Sequence, residues 1–512
     1  MLVVLGFLMI AVFMWLIMTK RATPVAALIL VPVVFGIFAG AGLGMGDMIM
    51  KSLVALAPTA ALLFFAITYF GIMIDVGLFD PLIRRILRLV GHDPVKLVIG
   101  AAALTAVVSL DGDGSTTFII VTSALLPVFL RLGMSPVVLT CVTAITNGVL
   151  NIVPWGGPTA RASAALNVSP TDIFVPMIPA MIAGIIACFV LAWSLGRSER
   201  KRIGRADLPI DREIAKGGTD GSVPTATATG TSRRPLLPTP RGAAKQAGGV
   251  LVSERTRQDV DGRPVLSTSP ASGELAGATA GTATAVVDEA SDFAHDPDAT
   301  LPDRGEKARP KLVWFNLALT LAIMVLLVVD LIPIPVVFMV GVGVALVANF
   351  RHVSEQAEQL KAHSGSVVSV VAMVLAAAVL TGVLSGTGMV DAMANWLIGV
   401  IPSGLGPHLA VITGLLSAPL TFLMSNDAFY FGVLPVLSHT AAGYGIEPVE
   451  MARAAVTGQP LHMQSPLVPA LLLLIALSRV EMGDHHRKAI WRAVVVSLVM
   501  LATGVALTVI PL

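Results

Sequence analysis

The sequence predicts an all-α polytopic membrane protein built from two inverted repeats, with about ten spanning helices, broken helices and two re-entrant hairpins. The 512 residues are 55% hydrophobic and only 13% charged, with a mean hydropathy of +0.84. Apolar windows of about 20 residues, the length that crosses a hydrocarbon core, recur in both halves. Polar breaks interrupt these windows in each half, a pattern typical of transporters whose site lies between broken helices.

Composition excludes several other classes of protein. The net charge of +2 is too small to indicate a nucleic-acid partner. Cys141 and Cys188 both lie in apolar runs, so the sequence predicts neither a disulfide framework nor a cysteine metal site. The sequence contains no Walker phosphate loop, no HExxH pair and no Ser–His–Asp arrangement. We therefore expect neither an ATP-driven pump nor an enzyme, and no permanently bound cofactor.

The first apolar run, residues 2–18, is predicted to be a spanning helix. A cleaved signal peptide carries its positive charges before the apolar stretch, whereas Lys20 and Arg21 follow this one. Positive residues favour the cytoplasmic side of a membrane, so the far end of this helix is expected there.

The apolar runs fall into two blocks. We assign residues 1–196 to an N-terminal membrane repeat and residues 312–512 to a C-terminal membrane repeat. The segment 197–311 between them is rich in Gly, Ala, Thr, Pro and charge and has no helical period. It is predicted to be a disordered cytoplasmic linker.

Clusters of Lys and Arg set the predicted topology, because they favour the cytoplasmic side. With these clusters inside, residues 97–131 enter and leave from the cytoplasm as a hairpin with DGDGSTT at its tip. Residues 407–438 carry no Lys or Arg and fit a second hairpin that opens from outside, with SNDA at its tip. Both chain ends are then outside, in a multi-pass protein of the plasma (inner) membrane.

An internal repeat supports two halves of opposite orientation. GIMIDVGLFD at 71–80 aligns without a gap with GVLSGTGMVD at 382–391, an offset of 311 residues (382 − 71). Three later positions match at an offset of 312 (445 − 133): Gly133, Pro136 and Pro154 pair with Gly445, Pro448 and Pro466. The charges place the first copy running inward where the second runs outward, so the repeats are predicted to be inverted, around a site near the membrane midplane.

The first hairpin tip offers oxygen ligands at membrane depth. Charged groups there cost roughly 2.5–3.5 kcal/mol each on insertion scales, so they favour a tip that faces a cavity. Carboxylates and hydroxyls suit Mg²⁺ or Ca²⁺, and a carboxylate can also take a proton. The residues concerned are Asp111, Asp113, Ser115 and Thr116.

The second polar break follows in the same half, from Asn147 to Arg161. Its prolines cannot continue a helix, and its paired glycines let the backbone turn, so free amides there could hold a carboxylate. Two interpretations of Arg161 stay open: it binds a planar anion with two parallel hydrogen bonds, or it snorkels at the membrane surface. The other predicted site residues of this break are Asn151, Gly156, Gly157 and Thr159.

Two further breaks lie in the second half. The hairpin tip Ser425-Asn426-Asp427 is the counterpart of the first tip. The run 458–466 corresponds to the second break and contains His462, Gln464 and Ser465. His462 titrates near neutral pH and is a candidate proton relay, although a buried His that only satisfies hydrogen bonds is the alternative.

Four motifs together carry a family resemblance: SLDGDGSTTF, NIVPWGGPTARA, SNDAFYFG and GQPLHMQSPLVPA. With these motifs the sequence closely resembles the citrate–divalent metal:proton symporter family (CitMHS), within the ion transporter superfamily. The resemblance covers both membrane halves and excludes the linker. It implies uptake of citrate complexed with a divalent cation of the Mg²⁺ or Ca²⁺ type, coupled to protons, and a possible homodimer.

The resemblance also implies roles for the predicted site residues. Arg161 would bind a free carboxylate of citrate, and Asp111, Asp113, Asp427 and His462 would serve the metal or the coupling proton. The remaining substrate-binding set is Ser115, Thr116, Asn151, Gly156, Gly157, Thr159, Ser425, Asn426, Gln464 and Ser465. Related dicarboxylate carriers bind sodium with paired Ser-Asn-Thr tips; here only Ser425-Asn426 keeps part of that pattern, which disfavours sodium coupling.

Other functions remain as alternatives. One is a different carrier of the same superfamily, such as a dicarboxylate symporter, a Na⁺/H⁺ carrier or an oxyanion efflux permease. The others are a gated channel and an intramembrane enzyme that uses the Asp pair for acid–base chemistry. Competition by citrate and saturable uptake would separate these from the leading hypothesis.

Overall fold

The computed structural model describes most of both membrane halves. The described residues are 1–81, 85–86, 93–112, 114–206, 309–329, 331–402 and 404–512. Asp113 lies outside them, as does most of the linker predicted at 197–311. The helix that begins at Pro170 continues to Ala206, so the predicted start of the linker at residue 197 falls inside a helix.

The first half of the described chain is helical throughout. Its helices are α1 (Leu2–Met18), α2 (Pro24–Phe38), α3 (Met45–Asp75), α4 (Pro94–Val108), α5 (Gly114–Arg131), α6 (Pro136–Leu150), α7 (Gly157–Leu166) and α8 (Pro170–Ala206). Prolines at the first helical position begin α2, α4 and α6, where a missing N–H costs nothing. A short 3₁₀ turn, Ser109–Asp111, ends the arm that α4 forms.

The described part of the second half is also helical. Its helices are α9 (Val313–Val329), α10 (Ile334–Asn349), α11 (Val353–Ala362), α12 (Ser364–Gly386), α13 (Met389–Val400), α14 (Leu409–Leu423), α15 (Leu434–Ala442), α16 (Pro448–Val456), α17 (Gln459–His462), α18 (Pro469–Ser478) and α19 (Met482–Ala506). A π-helical turn, Ala428–Val433, leads into α15.

The later helices of the two halves begin at equivalent positions. α6 and α16 begin 312 residues apart (448 − 136), and the same offset separates the starts of α7 and α18 (469 − 157) and of α8 and α19 (482 − 170). Even the left-handed residues that end helices correspond, since Asn167 has φ of 53° and Arg479 has φ of 52°. The internal repeat predicted from Gly and Pro positions is therefore present in the fold.

The membrane character of the chain is evident from its helices. Among the described residues, eight helical segments of at least 18 residues are apolar enough to cross a membrane, and shorter apolar helices of 10–17 residues accompany them. The all-α polytopic fold predicted from the sequence is confirmed.

Close helix packing joins the halves. α3 and α12 are repeat equivalents and lie against each other, since a Cβ on Gly382 would fall 2.8 Å from the carbonyl oxygen of Met48. The hydroxyls of Ser52 and Thr381 hydrogen-bond at 2.7 Å in the same interface. Without a hydrophobic force between helices in lipid, small residues that let backbones approach are the usual means of association.

Four segments interrupt the regular spanning helices. Hairpin 1 is α4 with α5, and hairpin 2 is α14 with the π-helical turn and α15. Break 1 is residues 151–156, between α6 and α7. Break 2 is residues 463–468, between α17 and α18.

Candidate functional site at the two breaks

The tip of hairpin 1 is held against break 1. Gly112 has φ of +79°, a conformation that L side chains rarely adopt, and a Cβ there would lie 2.8 Å from Cδ1 of Trp155. The indole Nε1 of Trp155 donates to the carbonyl oxygen of Leu110 at 2.8 Å. Asp111 is buried at this tip. The position of this tip is therefore fixed by its contacts with break 1. Non-helical backbone at membrane depth is stable only where it is buried in protein or lines a cavity.

The base of hairpin 1 is anchored to the long helix α8. Asp93 caps α4 by accepting from the Val95 N–H at 2.9 Å, and the guanidinium of Arg200 donates to the same carboxylate. The hydrogen bond from Arg200 holds the pKa of Asp93 below its ordinary value. This pair fastens the foot of the hairpin, while its tip contacts break 1.

Asn147 is a buried site residue that our sequence interpretation did not single out. Its Nδ2 donates to Ser109 Oγ at 2.9 Å, which ties α6 to hairpin 1. Its Oδ1 is buried without a hydrogen-bond partner among the described residues and lies 3.2 Å from where a Cβ on Gly114 would be. The sequence did carry one indication of this residue. Asn147 is an amide inside an apolar run, and the residue equivalent to it in the second repeat, Gln459, also carries an amide.

Break 1 replaces lost helical hydrogen bonds with side-chain donors. A Cβ on Gly156 would fall 2.1 Å from the carbonyl oxygen of Asn151, so only glycine fits this turn. The hydroxyl of Thr159 donates to the carbonyl oxygen of Ile152 at 2.7 Å and is fully buried. Thr159 therefore holds the break together in this structure; a role in substrate binding stays a prediction.

Arg161 lies one turn into α7 and faces back toward the start of that helix. Side chains on a helix tilt toward its N-terminus, and a Cβ on Gly157 would lie 2.7 Å from Arg161 Nη1. Nε of Arg161 donates to Oδ1 of Asp427 at 2.5 Å, and the two side chains are 19% and 11% exposed. The structure thus turns Arg161 inward to an acidic partner from the other repeat.

Hairpin 2 reaches its tip by leaving helical geometry. Met424 is extended, with φ of −124° and ψ of 168°, and Ser425 Oγ then accepts from the Ala428 N–H at 3.2 Å. The side-chain amides of Asn426 and Gln459 exchange hydrogen bonds at 3.4 and 3.2 Å. The π-helical turn that comes next in the chain is of a kind that occurs often at functional sites.

Break 2 is fastened to the arm of hairpin 2. Nδ1 of His462 lies 2.7 Å from the carbonyl oxygen of Thr421, and Ser465 Oγ donates to the carbonyl oxygen of Phe422 at 2.7 Å. Both side chains are buried. His462 is therefore buried and hydrogen-bonded within the protein, as in the second of its two interpretations. A part for it in proton coupling stays a prediction.

Two adjacent histidines of α19 hold the other side of break 2. Nε2 of His485 lies 2.9 Å from Gln464 Oε1, and its Nδ1 lies 3.0 Å from Thr140 Oγ1. Nε2 of His486 donates to the carbonyl oxygen of Gln464 at 2.8 Å. No separate signal in the sequence marks these histidines, because the run DHHRK resembles a charged membrane-surface segment.

The two breaks meet at equivalent positions. Asn151 Nδ2 lies 3.8 Å from the sulfur of Met463, and these residues are 312 apart (463 − 151). A Cβ on Gly148 would fall 2.7 Å from Cα of Pro460, its own repeat equivalent. Contacts between equivalent residues are what a two-fold axis between repeats produces. Both breaks and both hairpin tips therefore form one connected structure.

The structure places most of the predicted residues in three groups. Arg161 and Asp427 contact each other, and Gly157 lies beside them. Ser115, Thr116, Asn151 and Ser425 are only half-buried, at or beside hairpin tips and break 1. By contrast, Thr159, His462, Gln464 and Ser465 are buried with partners in the protein. Within the described residues, His, Cys, Asp and Glu side chains form no group of three that could hold a metal ion.

Comparison with known proteins gives several matches. The chain matches the citrate transporter family model CitMHS over residues 13–458. It is 42% identical over 500 residues to a citrate transporter of Bacillus subtilis (strain 168), covering 98% of this chain and 97% of that protein. It is 40% identical over 503 residues to the Mg(2+)/citrate complex secondary transporter of the same organism, with 98% and 97% covered. Among solved structures, it is similar to the Alcanivorax borkumensis YdaH transporter at 14% identity and a TM-score of 0.45, with 90% of this chain and 86% of that chain covered.

Proposed function

The chain belongs to the CitMHS family of citrate transporters, and we propose that it imports citrate as a complex with a divalent metal, together with protons. The metal is of the Mg²⁺ or Ca²⁺ type and travels as part of the substrate. A relative at 40% identity carries a name that specifies a Mg²⁺/citrate complex, which supports this choice of cargo.

The arrangement of α7 is the observation that carries the proposal. The N-terminus of this helix has no side-chain cap, so the N–H groups of Gly157 and Thr159 are available at the break, whereas Pro158 has none. The Arg161 guanidinium folds back over Gly157 at that same end. Backbone N–H groups and the positive end of the helix dipole favour a carboxylate there, and a guanidinium adds parallel hydrogen bonds. Citrate offers such a carboxylate.

Chelation explains why the metal enters with citrate. A divalent cation cancels part of the charge of the tricarboxylate, which lowers the cost of moving it away from water. Hydroxyls and amides at the two tips and in break 1 supply oxygen contacts to the complex: Ser115, Thr116, Asn151, Ser425 and Asn426. Asp111 and Asp113 then face the metal or take the coupling proton, and Asp427 is a further site for that proton.

Uptake in proteoliposomes tests the proposal. Labelled citrate is supplied with Mg²⁺, with Ca²⁺ or with a chelator, and with or without an inward proton gradient. We expect uptake to require both a metal and the gradient, and a sodium gradient to have no effect. Uptake that ignores metal and protons alike would contradict the proposal, and sodium-driven uptake would favour a dicarboxylate-type carrier.

A pair of arginine variants sharpens the test. Arg161→Gln removes the proposed carboxylate partner and is expected to abolish metal–citrate uptake. Arg351→Gln removes the same charge from an exposed position after α10 and serves as the matched control. Equal uptake by the two variants would show that Arg161 does not bind substrate.

A further inference from the structure

Asp427 binds the guanidinium of Arg161, the group that would bind a carboxylate of the substrate under the proposed function. Arg161 belongs to the first repeat and Asp427 to the second, and their side chains are mostly shielded from solvent. An unpaired cation in such a place is unfavourable, because the cost of removing it from water is not repaid. With no substrate bound, Asp427 supplies the missing negative charge.

We propose that Asp427 is an internal competitor of the substrate: its carboxylate occupies Arg161 in the empty carrier, and a citrate carboxylate displaces it. The inference rests on the proposed function, since it takes Arg161 as the residue that binds a carboxylate of citrate. It assigns Asp427 to control of that same site rather than to contact with the transported metal.

The geometry of the pair favours displacement. The structure records one hydrogen bond between the two side chains, through Nε. Arginine binds carboxylates most strongly through two parallel N–H groups. A citrate carboxylate can use a second guanidinium N–H and the uncapped N–H groups of Gly157 and Thr159 at the start of α7, whereas Asp427 accepts only from Nε of Arg161. The incoming ligand therefore gains contacts that the internal one lacks.

Displacement also separates elements of different repeats. Asp427 lies between the extended Met424 and the π-helical turn Ala428–Val433, at the tip of hairpin 2. Arg161 lies on α7 of the other repeat. When citrate replaces Asp427, the charged link between hairpin 2 and α7 is lost, so binding removes one of the contacts that hold this hairpin to the opposite repeat. A ligand can shift a conformational equilibrium in this way only by its differential interaction with the two states.

Asp427→Asn separates a competitor from a ligand. The apparent dissociation constant of a site equals its intrinsic dissociation constant divided by the fraction of time that the site is open. If Asp427 closes Arg161 about nine-tenths of the time, its neutralisation tightens citrate binding roughly 10-fold. If Asp427 instead holds the metal, the same change weakens binding of the Mg²⁺–citrate complex. The two roles predict opposite signs.

The experiment is calorimetric titration of the full chain in nanodiscs with Mg²⁺–citrate and with citrate alone. Asp391→Asn removes an exposed carboxylate near the start of α13 and is the matched control. We expect Asp427→Asn to bind citrate about 10-fold more tightly than the wild type. Without ligand it should melt at a lower temperature, because Arg161 is then uncompensated. Asp427→Ser is a second variant with the same expected direction.

The outcomes are distinguishable. Wild-type binding of Mg²⁺–citrate with weaker or unchanged binding by both Asp427 variants would overturn the inference and leave the proposed function standing. A wild-type protein that binds neither form of citrate would overturn the proposed function, and the inference with it. Tighter binding by Asp391→Asn as well would show that the effect is one of general charge, and would also overturn the inference.

Discussion

Arg161 depends on a glycine for its position. The guanidinium lies directly over Gly157, where any side chain would occupy the same space. Gly157 is the first residue of α7 and its backbone conformation is open to other residues, so its requirement for glycine comes from the arginine four residues later. The missing side chain of Gly157 leaves the space that the Arg161 guanidinium occupies.

Gly157→Ala should impair substrate binding without unfolding the protein. The added methyl group would lie 2.7 Å from Nη1 and push the guanidinium away from the start of α7. Misplacement of a binding group by about 1 Å can cost roughly 100-fold, so we expect the KM for metal–citrate uptake to rise by roughly 10- to 100-fold. Gly343→Ala on α10 is the control, because a Cβ there meets nothing within 4 Å. A KM equal to that of the control would contradict this role of Gly157.

For single residues, the sequence predicted which charged side chains lie at membrane depth better than it predicted which of them contact each other. The sequence marks Arg161 and Asp427 as charges at membrane depth, and such charges are functional by default. It could not show that they pair, because 266 residues separate them. It also left Arg161 with two interpretations, and only the contact with Asp427 favours the inward one.

Each broken helix needs side chains to replace the hydrogen bonds that it loses. The carbonyl oxygens of Ile152 and Gln464 are equivalent positions, 312 residues apart (464 − 152), and both accept from a side chain. Thr159 serves the first, and His486 serves the second. An unsatisfied carbonyl in lipid would cost several kcal/mol, so these donors are part of what makes the breaks possible.

His485→Ala should loosen break 2. It leaves the buried Oε1 of Gln464 without its donor, and an unsatisfied buried polar group costs about 1–3 kcal/mol. We expect a loss of that order in the free energy of unfolding, measured by chemical unfolding in detergent. His485→Gln can still donate to Gln464 and should recover part of the loss. His352→Ala, at an exposed histidine before α11, is the control.

That prediction fails if His485→Ala is as stable as the control. The metal–citrate KM gives a second measurement, because a displaced Gln464 shifts break 2 and with it the contact that this break makes with Asn151. An unchanged KM combined with lower stability would limit His485 to a structural role.

The locations of hairpins and breaks were predicted more accurately than the residues at which helices end. Gly, Pro and polar residues inside apolar runs placed both hairpins and both breaks, because these residues cannot be accommodated in an unbroken helix in lipid. The π-helical turn Ala428–Val433 was not predicted, since it arises from packing and leaves no mark in composition. Nor was the extension of α8 to Ala206, where charged residues resemble the start of a linker.

At the scale of the whole molecule, the repeat duplicates the framework but not the charges. Arg161 corresponds to Leu473, and Asp427 corresponds to Ser115, at the common offset of 312 (473 − 161 and 427 − 115). The charged pair therefore forms only once, between the first repeat and the second. The offset itself could be predicted from Gly and Pro positions, because turns and helix starts need those residues at fixed places.

The two hairpin arms end in equivalent carbonyl groups that different donors satisfy. Leu110 accepts from the Trp155 indole at 2.8 Å, and Phe422 accepts from the Ser465 hydroxyl at 2.7 Å. The repeats are predicted to be inverted, and the predicted topology opens hairpin 1 to the cytoplasm and hairpin 2 to the outside. Loss of one donor should then free one hairpin, and expose its tip on one side of the membrane only.

Trp155→Phe and Ser465→Ala test this directly. Phenylalanine keeps the aromatic contacts of Trp155 with Phe70 and Phe338 but loses the N–H donor. Reporter cysteines at Ser115 and Ser425, one near each tip, are labelled with a membrane-impermeant maleimide added to one side of oriented vesicles. The native Cys141 and Cys188 are buried and give little background.

We expect Trp155→Phe to raise labelling of the Ser115→Cys reporter several-fold from the cytoplasmic side and to leave the Ser425→Cys reporter unchanged. Ser465→Ala should do the converse from the outside. Each lost hydrogen bond is worth about 1 kcal/mol, which corresponds to roughly a 5-fold change in the population of the freed hairpin. Labelling of both reporters from the same side would mean that the hairpins do not open to opposite faces, and the alternating-access geometry inferred from the inverted repeat would be wrong.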